Sequence, residues 1–257
     1  MIKWKPLLWL YNLYAVVLFI VLMIPVFLFA LPVSFLGNIR GGNLIYKACR
    51  LWGDVWFALI FIRHKNIYKQ PLRKDESYIF VTNHISYLDA PTIVKTFRQP
   101  LRTLGKVEMT KIPVFGFIYR KAIVTVDRSS TENRAKSVLI LKSVLRKGIS
   151  VLVFPEGTFN TTHQPLKEFY DGAFRIAIES NTPVKPVIFL DTYKRMPYER
   201  LFSLNPGINR SVFLEEISTD GLTINDVPLL REKVYHLMEE SLQAYNVSWI
   251  NETIEKK

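Results

Sequence analysis

The segment Asn83-His84-Ile85-Ser86-Tyr87-Leu88-Asp89 sets one imidazole five residues ahead of one carboxylate, just after an apolar run at residues 77–81. A histidine oriented by a carboxylate can draw a proton from an alcohol near neutral pH. On an ideal helix the two side chains would sit about 140° apart, at ~100° per residue. They can meet only if His84 lies off the helix and the chain bends back, as a turn from strand to helix allows. Asp89 in the first helical turn then stays ionised near the positive dipole end. It accepts one imidazole N–H and leaves the other ring nitrogen to take the proton. A bland arrangement competes, with Asp89 as a mere helix cap and His84 in a surface loop. Ser86 and Asp89 also have capping-box spacing, though that would set Pro91 inside the helix. The same pair could serve a Ser-His-Asp hydrolase, but no Gly-x-Ser-x-Gly elbow is present. Ser86 is too close in sequence to serve as the nucleophile. Direct transfer to a substrate alcohol fits better.

The elements that would carry this turn are strands alternating with helices. Strand-type runs occur at residues 77–81, 101–104, 122–126, 150–154, 184–190 and 212–217. Helices are expected from Asp89 or Ala90, from residues 129–131 to Lys147 with Gly148 as the stop, near 171–180, and at the C-terminus, where Val227, Leu230, Val234, Leu237, Met238, Leu242 and Tyr245 form a stripe. The pattern argues an α/β fold: a mixed, largely parallel sheet flanked by helices, with chemistry at strand ends.

Residues 1–65 stand apart from residues 66–257. Residues 7–24 are apolar except for Asn12, and give roughly 27 Å of helix at ~1.5 Å per residue, close to hydrocarbon thickness. Pro25 and Pro32 are expected to interrupt this helix, with a turn at residues 37–42. A second helix is expected over about 43–62, carrying Lys47, Arg50 and Asp54 on one face. Trp4, Trp9, Trp52 and Trp56 suit a lipid–water boundary. The pair reads as a two-helix membrane anchor, either a spanning hairpin or a pair sunk into one leaflet. The three charges favour one leaflet. Two core helices of a soluble protein are the bland alternative. The formal net charge of +12 favours anionic partners. That charge is dispersed, with no basic-aromatic ribbon or helix-turn-helix signature, so nucleic acid is disfavoured. One cysteine, Cys49, excludes a disulfide framework, and four histidines without nearby cysteine partners argue against a metal enzyme.

Four blocks in order resemble the glycerolipid acyltransferase family typified by 1-acylglycerol-3-phosphate (lysophosphatidate) acyltransferase. They are Asn83-His84 with Asp89; Lys106-Val107-Glu108 through Pro113-Val114-Phe115-Gly116 to Val126-Asp127-Arg128; Phe154-Pro155-Glu156-Gly157-Thr158; and Pro183-Val184-Lys185-Pro186-Val187. The resemblance implies that His84 is the general base, oriented by Asp89, and that transfer is direct, without an acyl-enzyme. It implies that Lys106 and Arg128 bind the substrate phosphate and that Glu156, Gly157 and Thr158 shape the alcohol site. It implies a fatty acyl thioester of coenzyme A or acyl carrier protein as donor, lysophosphatidate as acceptor, phosphatidate as product, no cofactor, and work at the cytoplasmic face of a phospholipid membrane. Acylation of glycerol 3-phosphate or of another lysophospholipid is the nearest rival, and a non-catalytic anionic-lipid-binding protein the rival from another class. The chain departs from the family at Phe159, where an arginine is usual. Three consequences are open: phosphate binding falls more heavily on Arg128, Lys106, Arg120 or Lys185, the substrate differs, or Phe159 meets an acyl chain.

Overall fold

The structure, a computed structural model, describes residues 5–126 and 131–251. Its strands are β1 (Ile62–Tyr68), β2 (Ile79–Thr82), β3 (Leu101–Lys106), β4 (Ile123–Val126), β5 (Ser150–Val153), β6 (Val184–Phe189) and β7 (Gly207–Phe213). They form one sheet in the order β1-β7-β6-β2-β5-β3-β4. The five strands β6, β2, β5, β3 and β4 run parallel. β7 is antiparallel to β6, and β1 is parallel to β7. The sheet is therefore mixed and largely parallel, as the alternation of elements predicts.

The α-helices among the described residues are α1 (Lys5–Val33), α2 (Gly42–Leu59), α3 (Asp89–Thr96), α4 (Phe115–Ala122), α5 (Thr131–Leu145), α6 (Gly172–Glu179), α7 (Thr192–Arg195), α8 (Val227–Ala244) and α9 (Ser248–Asn251). Alternation along the central strands sorts their side chains onto two faces. Ile79, Val81, Val151 and Val153 join one apolar cluster with residues of α5, α6 and α8. Phe80 and Leu152 point the other way, into a cluster with Tyr46 of α2 and Phe97 beyond α3. The result is a sheet covered on both faces.

Several expectations are corrected. α1 runs straight through Pro25 and ends one residue after Pro32. Proline costs the helix about one internal hydrogen bond, roughly 3 kcal/mol, but Met23, Val26 and Ala30 on either side are buried against α2 and hold the helix together. The expected turn at residues 37–42 is a short 3₁₀ segment followed by a π-helical turn, Gly37–Gly41. β7 begins earlier than expected: Asn209 and Ser211 are fully buried, with Asn209 Nδ2 donating to Thr92 Oγ1 at 3.0 Å and Ser211 Oγ 2.8 Å from Thr96 Oγ1. Ile217 makes only an isolated bridge to Val184. β1 was not legible as a strand: Arg63-His64-Lys65-Asn66 is the sequence of a polar sheet edge. The expected junction at residues 65 and 66 falls inside β1. His64 itself is structural. It meets Asn66 and Asn209, and burial lowers its pKa to about 4.

α1 and α2 pack antiparallel, with Tyr11 Oη donating to the Ile60 carbonyl at 2.6 Å and Trp56 Nε1 to the Ala15 carbonyl at 2.9 Å. Buried Asn12 ties α1 to the loop before β7, exchanging hydrogen bonds of 2.8 and 3.0 Å with the backbone of Leu204. Cys49 is buried between these helices, and desolvation pushes its thiol up to about 12, so it is no nucleophile. Of the charges on α2, Asp54 faces protein, pairing with Lys95 of α3 at 2.5 Å and with Arg98 at 2.7 Å. The opposite side of α1 is bare, with Leu7, Leu10, Leu13, Val17, Ile20, Ile24 and Leu28 all exposed. Among the described residues, one helix is long and apolar enough to cross a membrane.

Candidate active site

The parallel strands deliver the motifs to one edge of the sheet. Asn83 and His84 follow the carboxyl end of β2, Lys106 closes β3, Val126 closes β4, and Phe154 to Thr158 follow β5. Such an edge is where α/β sheets gather chemistry.

Asn83 extends the sheet beyond its last backbone pair. Its side-chain amide donates to the Phe189 carbonyl at 3.1 Å and accepts the Phe189 N–H at 2.8 Å. A side chain thus takes the place of a ladder rung. The main chain at His84 is thereby freed to leave β2 while remaining anchored to β6.

His84 then turns back onto the start of α3. Its Nδ1 lies 2.9 Å from Asp89 Oδ2. Asp89 is fully buried, and the same Oδ2 accepts the backbone N–H groups of Ile85 at 2.7 Å and Ser86 at 2.9 Å. Three donors converge on one oxygen. Asp89 Oδ1 is buried and has no partner among the described residues. An acceptor carboxylate requires Nδ1 to carry the proton, which leaves Nε2 as the basic nitrogen. The His84 side chain is 24% exposed, so the ring is gripped but reachable. Ser86 is excluded as a nucleophile: its buried hydroxyl donates to the Met196 carbonyl and accepts the Leu88 N–H.

The ring is also clamped by aromatics. Phe154 stacks on it at 4.1 Å between centroids, and Phe159 meets it edge-on at 4.3 Å. Tyr87 packs on Phe159 in turn at 4.9 Å. Phe159 therefore forms part of the wall around the base.

Glu156 has a different part from the one the resemblance implies. It is fully buried. One oxygen accepts the backbone N–H of His84 at 2.9 Å, the other that of Lys167 at 3.1 Å. It braces the loop that carries the base, rather than lining an open pocket. Gly157 follows at φ +72°, a left-handed turn that suits glycine. Thr158 is exposed, and its hydroxyl accepts Lys167 Nζ at 2.8 Å. Lys167 was missed in the sequence because its role arises from a loop return nine residues later, with no motif spacing to mark it.

Burial raises the Glu156 pKa to about 8 from an ordinary 4.5. The native state then keeps a proton that the unfolded chain releases. Stability on this account is greatest below about pH 4.5, falls as pH rises, and levels off above about pH 8. Thermal midpoints of Glu156→Gln should lack this decline relative to wild type. Parallel pH profiles for the two proteins would remove the assignment.

Arg128 lies outside the described residues, and for Lys106 the backbone alone is described, paired with Val126. One alternative phosphate ligand is corrected. Lys185 is fully buried near the amino end of β6, the wrong end of the sheet, where its ammonium donates to Gln70. Arg120 lies on α4 and donates to the Thr110 carbonyl. Among the described residues no group of three or more His, Cys, Asp or Glu could hold a metal ion.

Residues 63–190 match the family model described as Acyltransferase, a span that contains every motif residue discussed above. The chain is 29% identical over 200 residues to an uncharacterized acyltransferase of Schizosaccharomyces pombe, covering 77% of this chain and 71% of that protein. It is 32% identical over 169 residues to the 1-acyl-sn-glycerol-3-phosphate acyltransferase alpha of Mus musculus, covering 63% of this chain and 58% of the mouse protein. The crystal structure of the 1-acyl-sn-glycerophosphate (LPA) acyltransferase PlsC from Thermotoga maritima superposes with a TM-score of 0.73 at 24% identity, covering 95% of this chain and 97% of that one.

Proposed function

This chain belongs to the acyltransferase family, and on that footing we propose that it acylates the free sn-2 hydroxyl of 1-acylglycerol 3-phosphate from an acyl thioester, giving phosphatidate. The observation that carries the reading is the His84–Asp89 contact of 2.9 Å in an aromatic clamp at the edge of the sheet. His84 Nε2 takes the proton of the acceptor hydroxyl as its oxygen attacks the thioester carbonyl. The tetrahedral intermediate collapses by breaking the C–S bond. The departing thiolate receives the proton from Nε2. An ester and a thiol result, with no acyl-enzyme. Asp89 holds the ring and offsets the charge that the imidazolium develops.

The acceptor phosphate needs cations, and Phe159 supplies none. Lys167 answers this on the same loop: its ammonium rests on Thr158, and its backbone shares Glu156 with the base. Lys106 and Arg128 complete the proposed phosphate set. Lys167→Ala should raise KM for lysophosphatidate about tenfold, the worth of a charge-assisted hydrogen bond, with kcat little changed and Lys167→Arg restoring much of the loss. An unchanged KM removes Lys167 from the site.

α1 and α2 hold the enzyme in one leaflet of the membrane, with the catalytic edge toward the cytoplasm. The bare apolar side of α1 supports the membrane part of this reading. The decisive experiment is a mass-spectrometric assay in detergent. It offers acyl-coenzyme A and acyl carrier protein thioesters with lysophosphatidate, glycerol 3-phosphate or another lysophospholipid. Phosphatidate as the dominant product is expected. Preference for another acceptor changes the substrate, and thioester loss without an acceptor makes the protein a hydrolase.

A further inference from the structure

A groove of about 730 Å³ opens between the outer sides of α1 and α2. Its floor is apolar, built by Leu22, Val26 and Phe29 of α1 and Leu44, Leu51 and Val55 of α2. Leu44, Leu51 and Val55 lie on one stripe of α2 and are exposed, so the floor continues the bare surface of α1. The rim is cationic. Lys47 and Arg50 come from α2, Arg98 from just past α3, and Asp54 is the single acid in the lining. Asp54 is already engaged by Lys95 and Arg98. Arg50 donates from Nη1 to the Arg98 carbonyl, and its buried Nε has no partner among the described residues. Three cations thus face one neutralised acid, and one guanidinium keeps an unused donor. The site is separate from the base: Asp89 opens α3 and Arg98 lies past its other end, beyond the ~12 Å that its eight residues span at ~1.5 Å per residue.

We propose that this groove binds one anionic phospholipid of the surrounding bilayer, distinct from the lipid that is acylated. Its acyl chain lies on the floor and its phosphate meets Arg50, flanked by Lys47 and Arg98. A guanidinium fork matches phosphate oxygens, and the volume falls within the ~300–1,000 Å³ of small-molecule sites. An apolar floor that opens onto the lipid-facing side, under a cationic rim, complements a bilayer lipid. The inference rests on the reading of α1 as lying in a leaflet.

Native mass spectrometry of the full chain in detergent, with phosphatidylglycerol or phosphatidylcholine added, tests it. One phosphatidylglycerol should be retained, and phosphatidylcholine should not. Leu51→Glu places a like charge on the floor at a residue 65% exposed, where folding is tolerant, and should abolish retention. Lys47→Gln with Arg50→Gln should weaken binding to phosphatidylcholine vesicles carrying phosphatidylglycerol about twenty-five-fold, at roughly fivefold per basic residue. The control pair Lys74→Gln with Lys147→Gln, both exposed and outside the groove, should weaken it far less. Equal losses in the two pairs, or equal retention of the two lipids, would overturn the proposal. His84→Ala should keep its lipid while losing transfer, so the groove and the catalytic reading fail separately.

Discussion

Replacing His84 by alanine should lower kcat about 10²–10⁴-fold, the usual worth of a positioned general base, with KM for the acceptor nearly unchanged. The expectation follows from how little else the imidazole does. Asp89 keeps the N–H groups of Ile85 and Ser86 without it. The backbone N–H at position 84 still reaches Glu156. The loop should therefore hold its course, and the missing ring leaves only a partly exposed gap between Phe154 and Phe159. A general base that acts in the transition state and not in ground-state binding puts the loss on kcat. Steady-state kinetics on purified variant of normal thermal midpoint checks this. Full activity in that variant discards the mechanism.

Asp89→Asn should be nearly as damaging, about 10²–10³-fold in kcat, and for a reason peculiar to this geometry. All three donors converge on Oδ2 while Oδ1 is orphaned. An asparagine can turn its carbonyl oxygen to the same three donors, so the turn and the tautomer of His84 survive. What disappears is the negative charge beside the imidazolium. Asp89→Ala is a different injury: it strands two buried backbone N–H groups, at about 1–3 kcal/mol each, and should lower the thermal midpoint as well. If Asn matched wild type in kcat, Asp89 would serve only as a hydrogen-bond acceptor, and its charge would have no part in the reaction.

What the sequence made legible was local. His84 and Asp89 are five residues apart, so their meeting depends only on one strand-to-helix turn. Gly148, at φ +69°, ends the segment after α5 where it was expected to. What stayed hidden depends on strand order. Glu156 was visible as part of a motif, but its work as a buried brace depends on β5 lying beside β2. Lys185 stood out as a cation in a motif strand, yet the direction of β6 puts it at the far end of the sheet. β1 went unseen because an edge strand can be polar on every exposed position. Pro25 misled because helix breaking is a local cost, and burial on either side outweighs it.

Asn12, the bond from Tyr11 to Ile60 just past α2 and the bond from Trp56 of α2 to Ala15 fasten α1 along the body from the Leu204 loop onward. Leu201 and Phe202, both exposed, carry the greasy surface from Trp9 toward that loop. For an enzyme lying in this way, the medium that dissolves acceptor and product is two-dimensional. Its velocity should follow the mole fraction of acceptor in the leaflet and not the amount per volume of buffer. Diluting the acceptor with inert lipid should slow turnover, while diluting the whole vesicle suspension should not.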